Sequence, residues 1–213
     1  MNLFWEMRKV TFYFFKRLFD MIVSSLGFCI SLPLWIIFCA LIWIEDQGPI
    51  FYTQERVGKD GKIFRALKFR SMIKNAENGL PVQAIENDPR ITRIGRFLRA
   101  TAMDELPQLI NIFKGEMSFV GPRALRPKER EVFGNSEVTE LRNILGYKER
   151  HRVRPGLTGY AQVYLPPDAP SLEKFKYDLI YIEKMSFLLD LKLILFSFWI
   201  SFRGKWQSRR KKI

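Results

Sequence analysis

Between residues 21 and 44 the chain carries no charged side chain, a longer apolar run than the roughly 20 residues an α-helix needs to cross a bilayer. It also exceeds the roughly 7 to 15 residues of a signal-peptide core, and no small-residue cleavage site follows it. A weaker apolar and aromatic run covers residues 193–202, about half the length of a span, and is trailed by Arg203, Lys205, Arg209, Arg210, Lys211 and Lys212. That combination predicts a helix lying in the membrane interface with a basic tail on anionic phospholipid; a core helix with a solvated tail would show the same pattern. Between the two runs the chain is punctuated like a water-facing domain. Residues 51–56 and 62–69 read as strands, and Gly58-Lys59-Asp60-Gly61 supplies the turn chemistry of a β-hairpin. Residues 75–88 are polar and aperiodic, which predicts a loop or a short helix. Residues 104–113 read as a short helix stopped by Gly115, which puts Pro107 in its first turn and Asp104 at its N-terminus.

Basic residues flank the first run on both sides, with Arg8, Lys9, Lys16 and Arg17 before it and Arg56, Lys59, Lys62, Arg65, Lys68 and Arg70 after it. Basic flanks stay on the cytoplasmic face, so a segment with two of them enters and leaves by the same face. Pro33, near the middle, is the expected bend, because proline removes one backbone hydrogen bond and pushes on the previous turn. Ser31 or another nearby hydroxyl would meet the freed carbonyl. A single-pass helix with a tolerated proline is the alternative. The expected fold class is α/β of the α+β kind: a mostly helical monotopic membrane protein with a re-entrant N-terminal helix bent at Pro33 and a small β-hairpin. Three segments follow from this: 1–46 for the re-entrant helix, 47–185 for the cytosolic domain, and 186–213 for the amphipathic interfacial helix and basic tail.

Composition narrows the partners. The 213 residues suit one medium-sized domain with attachments, and an apolar share of 47% is too high for disorder. A formal net charge of +13 requires an anionic partner, whether nucleic acid, acidic phospholipid or a phosphorylated substrate. Trp5, Trp35, Trp43, Trp199 and Trp206 all lie near the two ends, which suits the indole preference for a membrane interface, although apolar segments hold large residues in any case. Cys29 and Cys39 share one apolar run without acidic or histidine neighbours and read as small buried hydrophobes. The only histidine, His151, lies among Arg150, Arg152 and Arg154, whose charge disfavours its protonation. A histidine-based zinc site and a Ser-His-Asp triad are therefore disfavoured.

Arg90, Arg93, Arg96 and Arg99 recur at steps of three, a spacing that would let their guanidinium groups converge along one side of a helix or of tight turns. The planar fork of arginine suits phosphate; a solvated basic face is the plain alternative. Asp104-Glu105 follows directly. Aspartate is a favoured N-cap, and the functional alternative is an anion site built around the pair from the helix N-terminus, the arginines and a divalent cation. With its repulsion toward a pyrophosphate cancelled by arginine and Mg²⁺, an aspartate can attack phosphorus and hold the phosphoryl group as an acyl phosphate. One displacement then becomes two easier ones. Hard oxygen ligands, waters and substrate phosphates suit Mg²⁺ better than zinc. Two turns, Gly121-Pro122 before Arg123 and Arg154-Pro155-Gly156-Leu157-Thr158-Gly159, would hold their arginines rigidly.

Several segments carry a family resemblance: Lys16-Arg17-Leu18-Phe19-Asp20, Gln54-Glu55-Arg56-Val57-Gly58, Lys68-Phe69-Arg70-Ser71-Met72, Asp88-Pro89-Arg90-Ile91-Thr92-Arg93, residues 104–111, residues 118–123, residues 154–163, Tyr177-Asp178 with Tyr181, and Leu189-Asp190-Leu191-Lys192. In this order, over residues 16–200, the chain resembles the bacterial sugar transferase family, the monotopic phosphoglycosyl transferases that begin glycan assembly on undecaprenyl phosphate. The resemblance implies an enzyme of the bacterial inner (cytoplasmic) membrane, on its cytosolic face, that moves a sugar 1-phosphate from a UDP-sugar to polyprenyl phosphate and releases UMP. Asp104 would be the nucleophile and Glu105 its partner as base or metal-site residue, with Mg²⁺ held by Asp104 and Glu105. Arg99 and Arg123 match phosphate-holding positions, and Arg96, Arg154 and Asp178 are further substrate-site candidates. The re-entrant helix bent at a proline is also a family trait.

The chain departs from the family at three places. Leu32 precedes Pro33 where a serine is common, Tyr164-Leu165-Pro166-Pro167 replaces an Asn-Gly-Arg-like stretch, and Ala124 follows Arg123 where a second proline is common. The second departure falls in a loop of the kind that tunes specificity. Only the minimal catalytic unit is expected, without the multi-pass region of long members. Two rivals stand beside this reading. A nucleic-acid binder would explain the charge, but an acidic pair amid the basic residues repels phosphates, so no nucleic-acid partner is expected. A silent membrane scaffold has no need for the acidic pair. A homodimer is compatible with the sequence, which shows none.

Overall fold

The structure is a computed structural model, and it describes residues 3–74, 76, 88–132 and 138–206. The apolar run forms the core of α1, Leu3–Asp46, a helix that stays continuous through Pro33. Ser31 Oγ donates to the Phe28 carbonyl (3.2 Å) and accepts from Trp35 Nε1 (3.1 Å). It thus turns one residue short of the Cys29 carbonyl, which Pro33 leaves without its helical donor. Ile30, Ile36 and Ile44 are more than two-thirds exposed, a surface suited to lipid rather than to water.

After α1 come β1 (Phe51–Val57) and β2 (Ile63–Phe69), the expected hairpin, paired antiparallel from Phe51 opposite Phe69 to Val57 opposite Ile63. Its turn places Asp60 at φ 54° and Gly61 at φ 78°, the left-handed region that an Asp-Gly pair tolerates. Of the polar stretch 75–88, only Ala76 and Asp88 lie within the described residues. Then follow α2 (Arg93–Ala100), α3 (Gln108–Lys114) and β3 (Ser118–Val120). The short strands β4 (Arg130–Val132) and β5 (Val138–Glu140) pair antiparallel. The chain closes with α4 (Tyr147–Arg150), β6 (Gly156–Thr158), α5 (Tyr160–Tyr164), α6 (Ser171–Lys184) and α7 (Phe187–Phe202). β6 runs parallel to β3. The protein is thus mostly helical with small sheets, as expected.

Both ends of the apolar run are fastened to the same globular body. At one end, Arg17 donates to the Ile112 and Phe113 carbonyls at 2.6 and 2.5 Å, at the C-terminal end of α3. Asp20 accepts from Ser118 Oγ and the Phe119 amide, and Lys16 pairs with Asp190 of α7. At the other end, Glu45 accepts from the amides of Arg93 and Ile94 at 2.6 and 3.2 Å, satisfying the first turn of α2, and Asp46 pairs with Arg70. Between these points Trp35, Phe38 and Ile42 pack with Phe69 and Leu98.

α7 starts six residues before the apolar run read from sequence, with the Ser186 hydroxyl accepting from the Leu189 amide. It buries Asp190, Leu193 and Ile200 while Leu188, Leu195, Phe198, Trp199 and Phe202 stay exposed. Those exposed positions fall on one helical face. The tryptophans divide: Trp43 and Trp199 are half exposed, whereas Trp35 and Trp206 are buried core residues. Terminal position alone therefore did not distinguish interface indoles from packed ones. The tail residues Arg209, Arg210, Lys211 and Lys212 lie outside the described residues.

Candidate functional site

The acidic pair sits where α1, the hairpin and α3 meet. Asp104 does not cap α3, because Pro107 occupies that position; the pair belongs instead to a separate 3-10 turn, Met103–Glu105. Ala102 enters this turn at φ 59° and ψ 17°, a left-handed conformation that costs a non-glycine residue about 1 kcal/mol or more. Backbone strain immediately before the pair turns both carboxylates inward, and each residue is only 8% exposed. Gly115 ends α3 at φ 85°, as its position in the sequence indicated.

Four cations act on the pair: Lys68, Arg123, Arg99 and Arg56. Lys68 Nζ lies 2.5 Å from Glu105 Oε1, and Arg123 lies 4.0 Å from the same oxygen with its side chain half exposed. Burial pushes the Asp104 carboxyl up to about 6; Glu105 adds to the rise, while Lys68, Arg99 and Arg123 oppose it. Glu105 is also buried, but Lys68, Arg123 and Arg56 outweigh that burial and hold its carboxyl down to about 2. At neutral pH the site thus holds a firmly anionic Glu105 beside a more basic Asp104, a suitable division of labour for a nucleophile and its partner.

The candidates chosen from sequence separate in space. Asp104, Glu105, Arg99 and Arg123 come together. Arg96 is exposed on α2, and Arg90 is tied to Asp88 through Nε and Nη2 at 2.9 and 2.7 Å. The four arginines do not converge: Arg90 lies before α2, and within α2 each step of three residues falls about 60° short of a full helical turn. Arg154 donates from Nε to the Gly115 carbonyl (2.9 Å), at the end of α3 where Arg17 also lies. Asp178 is 2% exposed and bound at 2.9 Å to the buried Arg150, whose Nη2 donates to the Arg123 carbonyl at 2.7 Å. Its link to the pair therefore runs through the backbone of Arg123.

Lys68, Arg56 and Arg150 were not singled out from sequence as site residues. Strand alternation contains the signal for the first two: Tyr52, Gln54 and Arg56 share a face with their partners Lys68, Ala66 and Phe64. Along that face Gln54 Nε2 donates to the Tyr52 hydroxyl, and Arg56 binds Gln54 and the Ala124 carbonyl. Burial, with Arg123 adding, lowers Arg56 to about 10, so it remains a cation at neutral pH. Arg150 carried no local signal; only the fold brings it under Arg123.

A close backbone approach fixes the arginine loops. A Cβ on Gly156 would lie 2.1 Å from the Gly121 amide nitrogen, and one on Gly159 would lie 2.1 Å from the Gly121 carbonyl oxygen. Only glycine allows the parallel strands β3 and β6 and the turns after them to lie this close, and Arg123 stands two residues beyond Gly121.

Two buried carboxylates are thus surrounded by cations in a protein whose long N-terminal helix exposes an apolar surface. The chain belongs to the bacterial sugar transferase family, whose model matches residues 11–204. The UDP-glucose:undecaprenyl-phosphate glucose-1-phosphate transferase of Klebsiella pneumoniae is 40% identical over 196 residues, which cover 90% of this chain and 41% of that protein. The putative undecaprenyl-phosphate N-acetylgalactosaminyl 1-phosphate transferase of Bacillus subtilis (strain 168) is 47% identical over 148 residues, covering 70% of this chain and 82% of that protein. The exopolysaccharide production protein ExoY of Rhizobium meliloti (strain 1021) is 34% identical over 194 residues, 84% of this chain and 81% of that one. The chain thus spans 41% of the Klebsiella relative's length but more than four fifths of the other two.

Proposed function

We propose that this protein moves a sugar 1-phosphate from a UDP-sugar to a polyprenyl phosphate, as the first step of building a membrane-linked glycan. The observation that carries the reading is the buried Asp104-Glu105 pair with Lys68, Arg99 and Arg123 around it. An Asp104 carboxylate oxygen attacks the sugar-linked phosphorus, the bond to the bridging oxygen breaks, and UMP leaves with that electron pair. An oxygen of the lipid phosphate then attacks the same phosphorus, breaking the acyl phosphate bond and restoring the Asp104 carboxylate. Arg123 and Arg99 hold the phosphoryl oxygens, and Lys68 keeps Glu105 ionised throughout.

Mg²⁺ fits the donor set, which is hard and anionic. Among the described residues no group of three or more His, Cys, Asp or Glu side chains stands together, so Asp104 and Glu105 would hold the ion with waters and substrate phosphates completing its shell. That is the usual manner of Mg²⁺ at phosphate sites. When bound, the ion supplies positive charge against the developing phosphoryl charge.

The attachment of α1 at both ends supports a re-entrant path in which residues 21–44 dip into the bilayer and return to the cytosolic face. A helix crossing the membrane would carry Arg17 and Glu45 to opposite sides, yet both bind the same body. The exposed apolar face of α7 would lie in the same interface. On that path the pair would lie within reach of both a water-soluble donor and a lipid acceptor.

Purified protein mixed with Mg²⁺, polyprenyl phosphate and a panel of UDP-sugars is expected to release UMP from at least one sugar, and chelation is expected to stop it. Covalent transfer has a separate signature. Labelled UMP should exchange into the UDP-sugar without acceptor, and Asp104→Asn should abolish both exchange and turnover while keeping the wild-type Tm. Exchange that persists in the folded variant would sink the role of Asp104.

A further inference from the structure

Beyond the carboxylate pair, the hairpin tip, the segment after Arg123 and the start of α4 enclose a cleft of about 480 Å³, within the roughly 300 to 1,000 Å³ of small-ligand sites. Five cationic side chains line it, those of Arg126, Lys128, Arg142, Lys148 and Arg152, against only two carboxylates, Asp60 and Glu129. Val57, Leu141 and the half-buried Tyr147 add apolar and aromatic surface. A lining of this kind suits an anion that also carries a flat ring.

The cleft adjoins the pair in a definite direction. Arg56 is within electrostatic reach of Glu105 and Arg123 on one side and of Arg126 and Glu129 on the other. Along β2, Lys68 binds Glu105, while Ile63, five residues or roughly 17 Å toward the tip and on the hairpin's other face with its partner Val57, lines the cleft. The end of the hairpin nearer Lys68 packs through Phe51 and Phe69 on Trp35 of α1, so the cleft lies at the end away from the apolar helix. A lipid phosphate tethered to a bilayer chain approaches from the α1 side. A soluble nucleotide has access to the other.

We propose that this cleft receives the nucleoside half of the donor, with the uracil against Tyr147 and the diphosphate passing over Arg126 and Arg123 to Asp104. The inference rests on the donor being a UDP-sugar, and it assigns the subsite that reads the nucleotide rather than the sugar. The same cations hold UMP after the phosphoanhydride bond breaks, so the protein without donor retains affinity for UMP.

The test uses the full-length protein with UMP and its best UDP-sugar as probes. Lys148 and Arg152 are exposed, so Lys148→Gln with Arg152→Gln preserves the fold; Lys176→Gln, on an exposed α6 position outside the cleft, controls for lost charge. The double variant is expected to bind UMP about tenfold or more weakly and to raise KM for UDP-sugar by the same factor, the loss of charge-assisted hydrogen bonds. Its KM for polyprenyl phosphate and its Tm should stay at the wild-type values, and Tyr147→Leu should weaken UMP binding with the acceptor KM unchanged. If wild-type protein releases UMP but the double variant keeps its UMP affinity and UDP-sugar KM, the cleft is not the nucleoside site while the transferase reading stands. If wild-type protein neither binds UMP nor releases it from any UDP-sugar, both fall.

Discussion

Glu105 shares its carboxylate with Lys68 at 2.5 Å, and both side chains are nearly buried, so neither charge is well screened by solvent. Removing the ammonium leaves Glu105 desolvated beside Asp104, and the pair then draws in a proton. Lys68→Met is expected to lower turnover about tenfold to a hundredfold, the worth of a hydrogen bond to a charged group, with Lys68→Arg recovering part of it. Wild-type rates in Lys68→Met would remove Lys68 from the site. His151 behaves differently. Its Nδ1 donates to the Tyr147 carbonyl at 2.6 Å, and its Nε2 faces Arg150, an arrangement that fits only the neutral ring. Burial first, and Arg150 second, lower its pKa to about 4. The unfolded chain, with histidine near its ordinary 6.5, binds the proton first as pH falls. Stability is therefore full above about 6.5 and declines as pH drops toward about 4, by at most roughly 3 kcal/mol before solvent screening reduces it. The Tm difference between pH 7 and pH 4.5 should shrink in His151→Gln; an unchanged difference would assign acid sensitivity to the carboxylates alone.

At the scale of elements, the site depends on close backbone contacts more than on regular structure. β3 and β6 are three residues each, yet their close parallel contact sets the loops that carry Arg123 and Arg154. A methyl group on Gly156 meets backbone atoms on two sides, the Gly121 amide at 2.1 Å and the Thr158 carbonyl at 2.3 Å. Those neighbours cannot turn away as side chains do. Gly156→Ala is expected to cost about 1 to 3 kcal/mol of stability as an overpacked contact and to reduce activity more steeply than Tm, because Arg123 moves with its strand. Activity that only tracks the folded fraction would show that the contact supports the fold alone. Beneath Arg123, the Arg150-Asp178 pair braces the same loop from α6, so two independent supports hold Arg123.

At the scale of the molecule, membrane and chemistry share one set of contacts. The residues that fasten α1, from Arg17 to Asp46, touch α2, α3 and the neighbouring strand β3, the elements that frame the acidic pair. A re-entrant α1 leaves its N-terminal part on the same side as the hairpin tip. With Cys29 and Cys39 replaced by serine, single cysteines at Val10 and Lys59 should both react with a membrane-impermeant maleimide from the cytosolic face only. Labelling of the Val10 site from the opposite face would establish a crossing helix and overturn the path. The apolar length alone permits either path, and the labelling pattern decides between them.

Sequence patterning by itself determined the long apolar helix, the hairpin with its Asp-Gly turn and the glycine stop at Gly115, and it singled out the acidic pair as the candidate site. Each of these follows from local steric or solvation preferences that a few neighbouring residues express. The tertiary structure alone decided that Asp104 occupies a strained 3-10 turn rather than a cap, that only Arg99 of the evenly spaced arginines reaches it, and that Lys68 completes the site. Only packing could place Trp35 and Trp206 inside and turn Asp178 toward Arg150. Charge neutralisation at a buried site depends on which side chains from distant segments arrive within a few ångströms, and that distance is fixed by the packing of α1, α3 and the hairpin, not by spacing along the chain.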